Sequence, residues 1–296
     1  MRDLALLPDI EVVVARDPEV VLGDLPAAME PVDGSNVWDS WRQIAREVDV
    51  VWPIAPETDG LLERATILAR DAGRLVLASD IESLATARSK RATARRLAEH
   101  GVPAIACEPL DGPVPFSAHG WVVKPDDGAG STETYFAADR ETLTGWRRRL
   151  AGRNFVVQPF LPGAALSLSM LAQDGQAWLL ACNTQRMRRD DGAFTYAGGI
   201  VGGAEALRPA LEPIAAGVAT ALSGLWGYIG VDLIDGPEGP TVLEVNPRLT
   251  TSYVGLAESL DINPASLVLA LRTTKLSALV STLRPRPVKI EVPSAP

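Results

Sequence analysis

Oxygen donors interrupt two apolar strand-like runs, Tyr228-Ile-Gly-Val-Asp-Leu-Ile and Thr241-Val-Leu-Glu-Val-Asn-Pro-Arg248. A Gly/Pro turn, Asp235-Gly-Pro-Glu-Gly-Pro240, joins them. Glu244 and Asn246 are two residues apart, so on a strand they share a face. A hairpin can bring Asp232 opposite them. Three hard oxygen donors on one sheet face suit Mg²⁺ (or Mn²⁺) that completes its shell with water and nucleotide phosphates. Arg248 follows directly and is placed to hold a phosphate or carboxylate in its planar fork. A plain half-buried hairpin is the rival explanation, but acids and Asn are poor strand formers.

Other residues could serve the same chemistry. Lys124-Pro-Asp-Asp-Gly-Ala-Gly-Ser-Thr132 reads as a strand end running into a glycine-rich loop. Gly128 and Gly130 let the backbone N–H groups around Ser131 turn toward a phosphate. Lys124 could neutralise that phosphate, whereas a surface turn would explain the glycines alone. Arg186, after the strand ending near Cys182, could clamp a phosphate or belong to a solvated loop with Arg188 and Arg189. The hydroxyls of Thr250, Thr251 and Ser252 are placed to hold a reacting carboxylate. Glu57 follows a predicted strand, where open α/β sheets usually bind ligands. It could equally be an acid favoured at a helix start. His100 and His119 are isolated and read as surface residues, and Cys182 reads as core.

These groups need a scaffold. Strands are expected at Ile10–Ala15, Asp49–Ala55 and Leu75–Ala78, with helices at Trp38–Val48 and Thr58–Ala72. That alternation argues for an open, mostly parallel sheet. One continuous helix is expected over Leu84–His100, stopped by Gly101. The pattern then changes to hairpins: Trp121–Lys124, Phe155–Gln158, Ala165–Ala172 and Trp178–Cys182. A helix over Ala210–Leu225 precedes the metal hairpin, and Asn263-Pro264 starts a last helix to about Arg272. The proline-rich residues beyond Leu276 read as an exposed tail.

The chain has 296 residues, a net charge of −9 and 47% hydrophobic residues. That composition supplies a core and argues against nucleic acid as a partner, which needs clustered Lys/Arg. Two cysteines without CxxC spacing argue against a disulfide framework and for the cytoplasm. Acids close behind Met1 argue against a secretory signal. The uncharged stretch Pro213–Val231 contains several glycines and reads as a buried helix and strand, not a membrane span.

The run Asp232-x11-Glu244-x-Asn246-Pro-Arg248 resembles the magnesium hairpin of the ATP-grasp superfamily. The resemblance implies an α/β (α+β) ATP-grasp fold: an N-terminal open α/β domain (residues 1–83), a central lobe (84–157) and a C-terminal lobe (158–275) clasping ATP. A tail (276–296) would follow. It further implies that Lys90, ahead of the Gly101-Val-Pro103 turn, contacts the nucleotide phosphates with Lys124, Gly128, Gly130 and Ser131. Adenine would be read by the hinge at Gln158, Phe160 and Leu161. Arg248, Lys124 and Arg186 would be the catalytic cations, with no protein nucleophile required. Where the family places a glutamate for the ribose hydroxyls, this chain reads Gly163-Ala-Ala-Leu166.

The stretches Trp52-Pro-Ile-Ala-Pro-Glu-Thr58 and Leu243-Glu-Val-Asn-Pro-Arg-Leu-Thr-Thr-Ser-Tyr253 look like the tyramine–glutamate ligase family of methanofuran biosynthesis. They also look like its bacterial counterparts tied to methylofuran. That likeness implies ATP- and Mg-dependent amide formation between a glutamate carboxylate and the amine of a tyramine-like or glutamyl acceptor, with ADP and phosphate released. Glu57, Arg248, Thr250, Thr251 and Ser252 would meet the substrates. Partners would be small molecules, with a homodimer left open. Another amino-acid or peptide ligase, or a catalytically silent nucleotide-binding subunit, are the alternatives.

Overall fold

Short strands and helices build the first part of the chain, and long hairpins build the rest. The computed structural model describes residues 1–17, 27–32, 34–272 and 276–292. The N-terminal domain contains α1 (Arg2–Ala5), β1 (Val13–Arg16), β2 (Ala28–Pro31), α2 (Val37–Glu47), β3 (Val50–Val51), α3 (Leu61–Asp71) and β4 (Leu75–Val76). Its pairings are parallel, as expected. Among the described residues they form two separate two-stranded sheets, β1–β2 and β3–β4, where one open sheet was expected.

Two helices follow, α4 (Ile81–Arg88) and α5 (Lys90–Glu99). The single helix expected over Leu84–His100 is broken at Ser89. Ser89 takes an extended conformation and its hydroxyl caps α5 by accepting from the Ala92 N–H. A serine satisfies the free N–H groups of a new helix start better than it continues an old helix. The break puts Lys90 at the first position of α5, under the central lobe.

The central lobe holds β5 (Glu108–Pro109), β6 (Trp121–Pro125), β7 (Tyr135–Ala137), α6 (Arg140–Arg149) and β8 (Phe155–Pro159). Trp121, Val123, Phe155 and Val157 pack with Leu143 and Leu150. The alternate positions Val122, Lys124 and Gln158 face the interlobe cleft, as the two-residue strand period requires.

The C-terminal lobe contains β9 (Ala164–Gln173), β10 (Gln176–Asp190), β11 (Ala193–Val201), α7 (Arg208–Ala221), β12 (Gly227–Gly236), β13 (Gly239–Asn246), α8 (Leu256–Leu260), α9 (Pro264–Ala270), α10 (Ser277–Val280) and β14 (Val288–Glu291). Asp174-Gly175 and Asp191-Gly192 make the first two hairpin turns, with both residues of each pair at positive φ. That is the left-handed geometry two-residue hairpins favour. Ile229, Val231 and Leu233 of β12 bury into a core with Leu166, Leu168 and Met170 of β9 and Leu211 and Val218 of α7. The intervening residues Asp232 and Ile234 therefore face the cleft.

The expected tail after Leu276 is corrected by the structure. Leu276 is buried, and β14 pairs antiparallel with β11, Val201 opposite Val288. A strand of four residues has no local partner, and its pairing edge lies far back in the chain. Residues 293–296 of that expected tail lie outside the described residues. The sheet of both lobes is continuous in the order β13-β12-β9-β10-β11-β7-β6-β8-β5. Among the described residues no helix is long and apolar enough to cross a membrane.

Candidate active site

The cleft between the lobes gathers most of the expected chemistry. Its lining includes Lys90, Lys124, Gly128, Gly130, Ser131, Gln158, Phe160, Leu161, Asp232, Glu244, Asn246, Arg248, Thr250, Thr251 and Ser252. The register of the hairpin explains the floor. Asp232 stands opposite Glu244 and Gly230 opposite Asn246, so the three oxygen donors share one face. A bulge after this pair adds Leu243 to the cleft wall beside Glu244.

Two lysines face the carboxylates. Lys90 is buried, with Nζ 3.5 Å from Glu244. It also donates to the carbonyls of Gly128 (2.6 Å) and Asp126 (3.2 Å). Burial lowers the Lys124 pKa, although Glu244 pulls the other way. The two acids are driven apart. Burial and the Glu244 charge push Asp232 up to about 8. Burial would raise Glu244 too, but Lys90 and Lys124 overcome it and hold Glu244 down at about 2. The pair thus tends to share one proton, with Asp232 the member pushed toward holding it.

This donor set fits a divalent cation. The carboxylate pair retains a proton that a cation could replace. Among the described residues no cluster of three or more Asp, Glu, His or Cys is built for a metal. Two carboxylates and one amide on a shared face suit Mg²⁺ that completes its shell with water and nucleotide phosphates. Asn246 needs an adjustment to join them. Its amide nitrogen donates to Asp232 Oδ2 (3.1 Å) and its oxygen accepts from Arg248 (3.4 Å). Rotating the amide by half a turn brings its oxygen to the acids.

At the hinge, the Phe160 N–H is donated to the Gly120 carbonyl (2.9 Å), which leaves Leu161 as the nearer backbone donor for a base. Gln158 is buried on the cleft wall, with its side chain beside the Cys107 thiol. Where a ribose-binding glutamate was missing, Ala165 lies beside Ile234 on the lining. Among the described residues no other acid than Asp232 and Glu244 lines this cleft.

Two expected site residues stand elsewhere. Arg186 is exposed and lies off the lining, with Nε donating to the Ala197 carbonyl (3.2 Å). Strand alternation is the cause: Gln185 and Met187 face the cleft and Arg186 the opposite side. Glu57 is buried behind Arg248, whose Nε and Nη2 each lie 2.9 Å from Glu57 Oε2.

A buried hydroxyl network beneath residues 250–252 was not expected from the sequence. Tyr228 OH bonds Thr250 Oγ1 (3.0 Å) and Ser169 Oγ (2.9 Å). The Asn183 amide donates to Ser169 (3.1 Å) and Ser167 (3.3 Å), and Ser167 meets Ser252 (3.4 Å). The available signal was Ser167 and Ser169 at alternate positions of an otherwise apolar strand, on the face that carries Asp232. Gln185, which donates to Asp232 (2.8 Å), was also missed.

An ATP-grasp domain family matches residues 87–252, more than half of the chain, and a pre ATP-grasp 3 domain family matches residues 10–84. The chain belongs to the ATP-grasp family. Two relatives are tyramine–L-glutamate ligases. The Methanocaldococcus jannaschii enzyme is 31% identical over 112 residues, 38% of this chain and 35% of that protein. The Methanocaldococcus fervens enzyme is 26% identical over 210 residues, 71% of this chain and 62% of its own length. The chain thus spans less than two thirds of either relative. Among solved ATP-grasp structures, L-amino acid ligase from Bacillus licheniformis superposes with a TM-score of 0.70 at 23% identity, over 89% of this chain and 68% of that one. Biotin carboxylase from Campylobacter jejuni gives 0.70 at 12%, over 88% and 64%. At such identities the likeness fixes the ATP-grasp fold, not the substrates.

Proposed function

We propose that this ATP-grasp chain is an ATP- and Mg²⁺-dependent carbon–nitrogen ligase. The observation that carries the reading is the meeting of Lys90, Lys124, Asp232 and Glu244 in one interlobe cleft. Lys90 and Lys124 neutralise the nucleotide phosphates, and the loop through Gly128, Gly130 and Ser131 covers them. Gln158, Phe160 and Leu161 hold the base. Asp232, Glu244 and Asn246 would hold the metal, which would supply charge neutralisation at the transferring phosphoryl group.

Arg248 and the hydroxyls of Thr250, Thr251 and Ser252 orient the acid substrate. A carboxylate oxygen attacks the γ-phosphorus and ADP leaves. The amine nitrogen then attacks the acyl carbon, phosphate leaves, and the nitrogen loses a proton. The cleft's task is positioning and charge stabilisation rather than covalent catalysis.

The tyramine–glutamate ligase relatives and the run Glu244–Tyr253 support glutamate as the acid and a tyramine-like amine as the acceptor. A role in methylofuran-type cofactor synthesis belongs to the same reading and rests on the resemblance of the stretches Trp52–Thr58 and Leu243–Tyr253 alone. The test is incubation with ATP, Mg²⁺, glutamate and an amine panel. Amine-dependent release of ADP and phosphate, with an amide product of matching mass, is expected. Formation of AMP and pyrophosphate, or no turnover with any acid–amine pair, would overturn the ligase reading. A dipeptide product from the same panel would keep the reaction and replace the acceptor.

A further inference from the structure

One turn of the N-terminal domain touches both Arg248 in the cleft and Asp127, which borders the cleft's glycine loop. Glu57, Thr58 and Asp59 follow β3 at the domain border. Glu57 is 7% exposed and takes both near nitrogens of Arg248 at 2.9 Å. The Thr58 hydroxyl donates to the Asp127 carbonyl (3.2 Å), and the Asp59 N–H donates to Asp127 Oδ2 (3.2 Å). Asp59 and Gly60 both have positive φ, 55° and 67°. That conformation ends the turn before α3 can run through it and leaves the Asp59 N–H free for Asp127.

Asp127 directly precedes Gly128, whose carbonyl accepts from Lys90 (2.6 Å). Lys90 in turn pairs with Glu244 (3.5 Å), on the strand that leads to Arg248. The contacts thus close a ring: Arg248, the 57–59 turn, Asp127, the glycine loop, Lys90 and the metal hairpin. Rings of this kind couple their members, because loosening one contact frees its neighbours.

We propose that the Glu57–Asp59 turn is a latch that sets the glycine loop and Arg248 as one unit. Glu57 is the positioning residue for the arginine, and Asp127 is the positioning residue for the loop. The N-terminal domain is then a working part of the site. The latch rests on the nucleotide reading above for what the loop encloses, but the coupling itself stands on geometry alone.

The experiment compares hydrogen exchange and Mg·ADP affinity in the full chain for Asp127→Ala, Asp127→Asn, Glu57→Gln and the Glu57→Gln/Asp127→Ala pair. Asp127→Ala is expected to raise exchange both in residues 126–134 and in residues 246–252, though Asp127 does not bond Arg248. It is expected to weaken Mg·ADP about tenfold, the effect of one lost hydrogen bond. Asp127→Asn keeps an acceptor oxygen and should restore both readouts, with an unchanged melting temperature as its folding control. The double variant should lose no more affinity than the worse single one. Exchange changes confined to each variant's own side would overturn the latch, as would multiplying affinity losses. Should the parent chain bind no Mg·ADP, the nucleotide reading fails, and exchange alone decides the latch.

Discussion

Asp232 and Glu244 face each other across β12 and β13 and are pushed in opposite directions. Lys90, 3.5 Å away, favours the charge on Glu244. Burial and that neighbouring charge push the Asp232 carboxyl up to about 8, so the pair tends to hold one proton near neutral pH. A divalent cation between them would remove that proton. Binding of Mg²⁺ with ADP at pH 7 is expected to release about one proton, and the release should fade above pH 8. Calorimetry in buffers of different ionisation enthalpy measures it. A buffer-independent heat across pH 6.5–8.5 would show that the acids are not the metal site.

The same pair sets a stability trend. The folded pKa of Asp232 lies above its ordinary value of 3.8, so its contribution is complete below that value and is lost as pH rises toward 8. Glu244 has the opposite sign: its contribution is present above 4.5 and is lost as pH falls toward 2. The metal-free chain should therefore melt at lower temperature at pH 8.5 than at pH 6. Excess Mg²⁺ with ADP should flatten that slope. Melting curves with and without them decide the matter.

Lys90 is expected to be the most sensitive cation of the site. Lys90→Met removes the partner of Glu244 and the donor that holds the Gly128 carbonyl. Loss of one charge-assisted phosphate contact corresponds to roughly tenfold to hundredfold weaker nucleotide binding, about 1.4–2.8 kcal/mol. Proton release should also change, since Glu244 then titrates higher. Arg186→Gln serves as the contrast, because Arg186 points away from the cleft, and its nucleotide affinity should match the parent chain. Fluorescent-nucleotide titration reads both.

How far the sequence carried the site depends on what each residue needs. The hairpin that brings Asp232, Glu244 and Asn246 onto one face was legible because acids are rare in strands and a spacing of two fixes a shared face. Lys124 and the glycine loop were legible for the same local reason. Arg186 was misplaced because its face depends on where the strand begins, and β10 extends well past Cys182. The break at Ser89 competes with strong helix formers on both sides, so propensity alone hides it. The partnership of Glu57 with Arg248 spans 191 positions and no local pattern encodes it. Strand β14 was hidden behind prolines, since its identity as a strand comes from β11 and not from its own residues.

That strand makes a separate prediction about stability. Deleting residues 287–296 strips β14 from Gly198–Val201, removes the half-buried Val288 and Ile290, and uncovers the cluster that holds Val201 and Leu256. Partial burial of two such side chains is worth about 2–3 kcal/mol, or a fall in melting temperature of roughly 3–5 °C in a chain of this length. Gly198 offers a second route to the same loss, because a Cβ there would lie 2.2 Å from the Ile290 carbonyl. Gly198→Val should therefore cost the full chain more than the truncated one, in which only the strain of a side chain at a φ of 102° remains. Additive losses would mean that Gly198 serves something other than this pairing.

The floor of the substrate loop supplies the last test. Tyr228 holds Thr250 through its hydroxyl, and Gly230, one position along the same face, leaves room for the Thr250 methyl, 2.4 Å from where a Cβ would stand. Tyr228→Phe deletes the hydroxyl and leaves buried Ser169 with one partner fewer. A cost of about 1–2 kcal/mol in stability follows from the unpaired group. If Thr250 orients the acid substrate, KM for that acid should rise while the affinity for Mg·ADP stays level. Gly230→Ala acts on the same loop from below by displacing Thr250, and it should reproduce the KM effect without removing any hydrogen-bonding group. The two variants together distinguish loop position from hydroxyl chemistry. A KM change in Tyr228→Phe with none in Gly230→Ala would assign the role to the tyrosine hydroxyl itself, whereas matching changes assign it to the placement of Thr250.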